Sequence, residues 1–281
     1  MPMFSSPPAQ AADFASHEPF VSASQAPRAV FGARRTLEQL VGRLDHRADI
    51  YERGHDSRCV FPRAYALLTR RIADELPIAG FEDPEWVTRL VVSLSEQYFR
   101  AVSEHNPHGF TRNVWSTVLE ADDDHQTSVN EALLLGITTL FVHDLPLALC
   151  EVGLGTRTGK GRLADYHALS EIIAPAIEDI EHSITERYGS WLHVADHLNV
   201  VHAAVLTNQG MRIAHATAWY NAQRLQDAKL SLSARAAIRR WPRIMLDDLL
   251  HPRALSSHMM ARGARLVSRL TRHWPGHTPA K

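Results

Sequence analysis

The amino-acid sequence predicts an all-α protein, a single-domain multi-helix bundle with a kinked central helix. Three observations carry that prediction. Apolar residues recur at three- and four-residue intervals through most of residues 28–275. No segment shows the strict alternation of a half-buried strand. The most apolar stretch, TSVNEALLLGITTLFVHDLPLALCEV, is long enough to form the middle of a bundle and contains Pro146.

Taken in order, residues 1–27 are rich in Pro, Ser, Ala and Gln and predict a disordered tail; residues 276–281 predict a frayed end. Thr36 is a candidate N-cap for a helix that lines up Leu37, Leu40, Val41 and Leu44. Pro62 suits the first turn of FPRAYALLTRRIADEL, and Phe81-Glu82-Asp83-Pro84 forms a loop and cap before EWVTRLVVSLSEQYFRAVSEH. Asn106-Pro107-His108-Gly109 breaks the chain ahead of a short helix around FTRNVWSTVLE. In the central helix, Pro146 predicts a kink near Val142–Leu145 with the Val142 carbonyl released. After the loop GLGTRTGKG comes a helix or helix pair interrupted at Pro175, then helices near 190–206, 208–229, 231–250 and 256–273.

Composition narrows the function classes. Of 281 residues, 45% are hydrophobic and 22% charged, enough apolar surface for one sizeable core. Lys and Arg number 30 against 31 Asp and Glu, a formal net of −1, which argues against a nucleic-acid partner. Cys59 and Cys150 sit in apolar surroundings, predicting free thiols in a reducing, cytoplasmic setting. The first residues lack a basic start and an apolar stretch, so no secretory signal is expected, and no membrane span is expected either.

At VHDLPLAL the chain resembles a bacterial domain-of-unknown-function family, number 5995, whose signature has the form G-M-N-A-H-I-N-x-D-L-P. RCVFPRAYALLTRRI and FEDPEWVTRLVVSLSEQYFRAV resemble its earlier helices. ADYHALSEII resembles its D-[YF]-x-x-V-N segment, and MRIAHATAWYNAQRL its A-R-x-x-A-W helix, with Arg212 and Trp219 as the matching residues. The resemblance covers roughly residues 36–250 and implies a helical fold. Where the signature has Asn-Ala-His-Ile-Asn, this chain has Thr138-Thr139-Leu140-Phe141-Val142, so a role resting on that histidine does not carry over.

Four constellations are candidates for chemistry. His143 and Asp144 lie at the predicted kink, with Asp165 and His167 after the following loop. Polar groups inside an apolar helix are costly unless bonded, so a carboxylate orienting an imidazole for proton transfer is one reading. The other is Asp144 satisfying backbone donors or pairing with Arg212. In DDDHQTSVNE, Asp123, Asp124, Thr127 and Glu131 fit (N/D)-D-x-x-(S/T)-x-x-x-E and resemble the second metal motif of class I terpene synthases. Residues four apart share a helix face, so Asp123, Thr127 and Glu131 would present oxygens to Mg²⁺. The nearest partner motif is Asp45-His46-Arg47-Ala48-Asp49, and the alternative is an acidic cap on the central helix. His193 and His197, with Asp196 between them, have the spacing of a metal-chelating pair, or of a solvated helix face. Arg212, His215 and Trp219 share one helix face, with Trp219 expected in the core.

These residues predict a small-molecule enzyme of proton-transfer or cyclisation type. It would use His143, Asp144, Asp165, His167 and Arg212 around an apolar cavity, on a mostly apolar substrate. Two alternatives stand beside it: a Mg²⁺-dependent terpene cyclase using Asp123, Thr127 and Glu131, and a non-catalytic ligand-binding protein.

Overall fold

The structure is a computed structural model that describes residues 26–105, 113–123, 127–155, 162–189 and 206–250. Among these it is helical throughout, without strands. The elements are α1 (Ala26–Arg53), a 3₁₀ turn (Ser57–Cys59), α2 (Val60–Glu75), α3 (Pro84–Ser103) and α4 (Val114–Asp123). They continue with α5 (Val129–Thr139), a π turn (Leu140–Asp144), α6 (Leu145–Val152), α7 (Leu163–Tyr188), α8 (Asn208–Gln226) and α9 (Ser231–Leu250).

Helix α5, the π turn and α6 form one rod through the middle of the bundle. Of α5, Leu133, Leu134 and Leu135 are among the most deeply buried side chains of the protein. Helices α2, α4, α7 and α9 surround α5, while α3 and α8 flank α6. Helix α1 lies outside, against α2 and α3. A methyl group at Gly136 would overlap the Phe61 ring, so the missing side chain lets α2 seat its aromatic edge directly on α5. The rod, Val129–Val152, is 24 residues long and apolar enough to cross a bilayer, contrary to the sequence expectation; 78% of its most apolar window is buried inside the fold.

Pro146 shapes the rod as a proline must. It has no N–H and its ring crowds the carbonyl four residues back. The chain accommodates this by widening one turn instead of breaking: the Leu145 N–H bonds to Leu140 O, five residues back. The predicted kink is therefore a π turn ending at Asp144. Gly153 closes α6 with a φ of 79°, a left-handed conformation that suits glycine.

Two further sequence expectations change. Helix α1 begins at Ala26, ten residues before Thr36, whose hydroxyl bonds back to the Gly32 carbonyl inside the helix and caps nothing. Helix α7 runs unbroken through Pro175. The cap at Asp83 is as expected: its carboxylate accepts from Trp86 N at 2.8 Å and Pro84 occupies the first turn. Residues 1–25 of the expected tail, the Asn106–Gly109 break, most of the helix near 190–206, the helix near 256–273, and His193, Asp196 and His197 lie outside the described residues, while the last two residues of that tail open α1.

Candidate functional site

The π turn produces the most chemically loaded contact of the core. Neighbouring residues on a regular helix point apart, yet here His143 Nδ1 meets Asp144 Oδ1 at 2.6 Å. Asp144 is 1% exposed and its second oxygen accepts from Trp115 Nε1 at 2.7 Å. Burial pushes the Asp144 carboxyl up; the hydrogen bond and charge of His143, then the Trp115 bond, oppose that rise. With both oxygens held, the carboxylate cannot rotate. It fixes the imidazole, whose Nδ1 is engaged, and leaves Nε2 as the nitrogen able to exchange a proton. The His143 side chain is 19% exposed, so the pair lies at the edge of the core.

An aromatic wall backs this pair. Trp115 packs on Phe61 and Tyr98, both with ring centroids at 5.1 Å, and Phe61 on Tyr65 at 5.7 Å. Ser95 Oγ donates to Val91 O and lies 2.7 Å from the Tyr65 hydroxyl. A serine has one proton to give, so Tyr65 is the donor of the second bond. Burial pushes the Tyr65 phenol up; Ser95 opposes that, and the Asp144 carboxylate adds to it.

The remaining predicted residues are dispersed. Asp165 is 3% exposed, and its two oxygens accept from the backbone N–H groups of Glu82 at 2.7 Å and Asp83 at 2.9 Å. It fixes the α2–α3 loop, with Arg162 pairing to Asp83 at 3.2 Å beside it. Arg212 is paired with Glu171, not with Asp144, and its Nε donates to Asn208 at 2.8 Å. The Arg212 hydrogen bond holds the Glu171 carboxyl below its usual range. His167 lies one turn before Glu171 on α7; burial pulls its pKa down and Glu171 counters.

The metal motif is dismantled by the same bookkeeping of bonds. Thr127 donates to Ala121 O at 2.7 Å. Glu131 accepts from the Ser128 N–H and hydroxyl at 2.9 and 2.7 Å, a capping box that starts α5. Asp123 is the last residue of α4. Asp45 and Asp49 both bind Arg63, which also donates to Glu52 at 3.0 Å and lies 3.3 Å from the Tyr188 hydroxyl. Among the described residues no group of three or more His, Cys, Asp or Glu could hold a metal. The magnesium expectation thus has no support: the Thr127, Glu131, Asp45 and Asp49 oxygens are spent on capping contacts and on Arg63, and the Asp123 side chain and Asp124 lie outside the described residues.

Sequence reasoning placed His215 on one helix face with Arg212 and Trp219 but gave it no role of its own. It is 2% exposed, stacked on Tyr166 at 4.6 Å and 18° and facing Phe141 at 5.4 Å, and its Nδ1 has no hydrogen-bond partner among the described residues. Burial pulls its pKa down to about 3, and His167 adds to the shift. His215 borders a void of about 20 Å³ together with Tyr65, Leu90, Leu140, Phe141 and Leu145. That volume suits about one water, not a substrate. This void is therefore too small for the apolar substrate expected in the core.

A family model described as a family of unknown function, DUF5995, matches residues 37–245, well over half of the chain. The chain belongs to the DUF5995 family. No curated protein matches it. No solved structure matches it either. In this DUF5995 chain, the signature's histidine falls on Leu140. In the A-R-x-x-A-W pattern, with Trp219 in register, the arginine falls on His215 and not on Arg212. Leu140 and His215 both border the same void.

Proposed function

We propose that this DUF5995 protein is an acid–base catalyst in which His143 Nε2 exchanges a proton with a small-molecule substrate and Asp144 orients the imidazole. The observation that carries this reading is the doubly anchored Asp144 carboxylate, bonded to His143 Nδ1 at 2.6 Å and to Trp115 Nε1 at 2.7 Å. A buried carboxylate that fixes one imidazole nitrogen stabilises the imidazolium formed at the other. The void beside His215 holds about one water, so substrate approaches His143 from that residue's exposed side, where the side chain is 19% exposed. Half-buried Val142 and Leu147 flank that side and favour a substrate with apolar parts, consistent with isomerisation or cyclisation through proton transfer. A cytoplasmic setting is part of this proposal, in keeping with free Cys59 and Cys150. The test is a turnover screen with apolar carbonyl, ester and isoprenoid substrates, comparing the protein with His143→Gln and Asp144→Asn. A substrate converted by the parent should lose at least about 100-fold in rate with His143→Gln. Conversion that survives both substitutions sinks the proposal.

A second reading is a non-catalytic ligand-binding protein. The specific observation in its favour is that Asp165 and Arg212 are spent on the α2–α3 loop and on Glu171. It predicts that both variants alter stability alone, with no reaction to lose.

A further inference from the structure

We propose that the void between His215 and the π turn is a binding site for one small apolar gas molecule of dioxygen size. The first ground is how its walls are built. Helices α2, α3, α6, α7 and α8 and the π turn all contribute to them. Apart from Tyr65 and His215, every described residue of the lining is Leu, Ile, Val or Phe. The Tyr65 proton is already given to Ser95 Oγ, at 2.7 Å. Burial keeps the His215 imidazole neutral by pulling its pKa down to about 3, so no wall carries a charge. Close-packed interiors leave few such gaps, and those that are apolar stay dry and take up apolar guests.

The second ground is His215 itself. Its Nδ1 is buried without a hydrogen-bond partner among the described residues, on a side chain only 2% exposed. Buried polar atoms are normally satisfied, so an orphaned nitrogen on the rim of a void marks room for a ligand atom. Size and polarity then choose the ligand. A volume of about 20 Å³ admits a single very small molecule, which excludes organic metabolites. A water needs about two to four polar partners, and these walls offer one uncommitted nitrogen. An ion would stand unpaired among aliphatic side chains. A diatomic gas has little hydration to lose. It gains dispersion contacts with Leu68, Leu90, Leu140 and Ile173 and asks for no more than one weak hydrogen bond, which Nδ1 can supply. The site is separate from the His143 chemistry and stands without it.

Methyl carbon-13 NMR of the full chain under xenon, and then under dioxygen, tests the proposal. Xenon is expected to shift the methyls of Leu68, Leu90, Leu140 and Ile173 saturably. Leu37 and Leu133, fully buried but not part of the lining, should stay in place. Dioxygen, being paramagnetic, is expected to broaden the lining methyls severalfold more than those two controls. Val91→Ile adds one carbon to the wall from α3 and should abolish both responses at unchanged far-UV dichroism. His215→Phe fills the same space from α8 and serves as the second variant should the first fail to fold. Equal responses at the control methyls, no saturable shift, responses that survive filling of the void, or Overhauser contacts from a long-lived water to the lining methyls overturn it.

Discussion

Acidification should loosen this protein through His215 before most surface carboxylates matter. The imidazole is 2% exposed, without an Nδ1 partner, and sealed between Tyr166 and Phe141, so protonating it places a charge in an apolar wall. Burial lowers its pKa from 6.5 to about 3. A base whose folded pKa is depressed stabilises the fold fully above its unfolded value, and that contribution is lost as pH falls from about 6.5 towards about 3. The full gap corresponds to roughly 5 kcal/mol, of which about 3 kcal/mol is gone near pH ~4. Other groups titrate in the same window, so the informative quantity is a difference. Urea unfolding of the protein and of His215→Phe should be compared at neutral pH and near pH ~4. Phe keeps the ring stack, and the adjoining void of about 20 Å³ relieves its extra bulk. The variant should lose ~2–4 kcal/mol less stability on acidification than the parent. Parallel losses in both proteins refute the claim that a neutral, sealed His215 is part of the fold.

Further substitutions separate anchoring from chemistry. Gly136→Ala should destabilise by about 1–3 kcal/mol in chemical denaturation, because the methyl collides with a Phe61 ring already confined by Tyr65, Tyr98 and Trp115. Asp165→Ala should cost roughly 2–3 kcal/mol by stripping the Glu82 and Asp83 N–H groups, while leaving the ring state of His143 unchanged by NMR. Glu131→Gln should cost no more than about 1 kcal/mol in thermal unfolding, with no response to chelators, since its carboxylate closes a helix cap. Trp115→Phe should cost ~1–3 kcal/mol and raise the Asp144 pKa further, read by carboxyl ¹³C titration, because one oxygen loses its donor.

What could be read from sequence follows how local each signal is. Asp83-Pro84 caps a helix within four residues, and Pro146 perturbs the turn directly before it, so both were legible. Thr36 looked like a cap because its residue type suits one, but the apolar face of α1 continues past it and tertiary burial of Ala33 decided the matter. Asp165 was singled out as a catalytic group beside His143; its partners are instead backbone groups 82 and 83 residues away, which no pattern encodes. The acidic residues of α1 were visible at helical spacing, but Arg63, which gathers Asp45, Asp49 and Glu52, comes from α2. His215 was visible only as a member of a helix face with Arg212 and Trp219, with no sign of its burial. A lone histidine on an amphipathic helix resembles any solvated one until the helix is packed, and here α7 covers it.

Proton exchange at His143 turns on which ring nitrogen carries the proton. Nitrogen-15 NMR of the histidine side chains near neutral pH, assigned with His143→Gln, answers this directly. Protonated Nδ1 and a bare Nε2, with that preference collapsing in Asp144→Asn, is the result expected from the 2.6 Å contact. A neutral ring protonated at Nε2, or a ring state indifferent to Asp144→Asn, would contradict it.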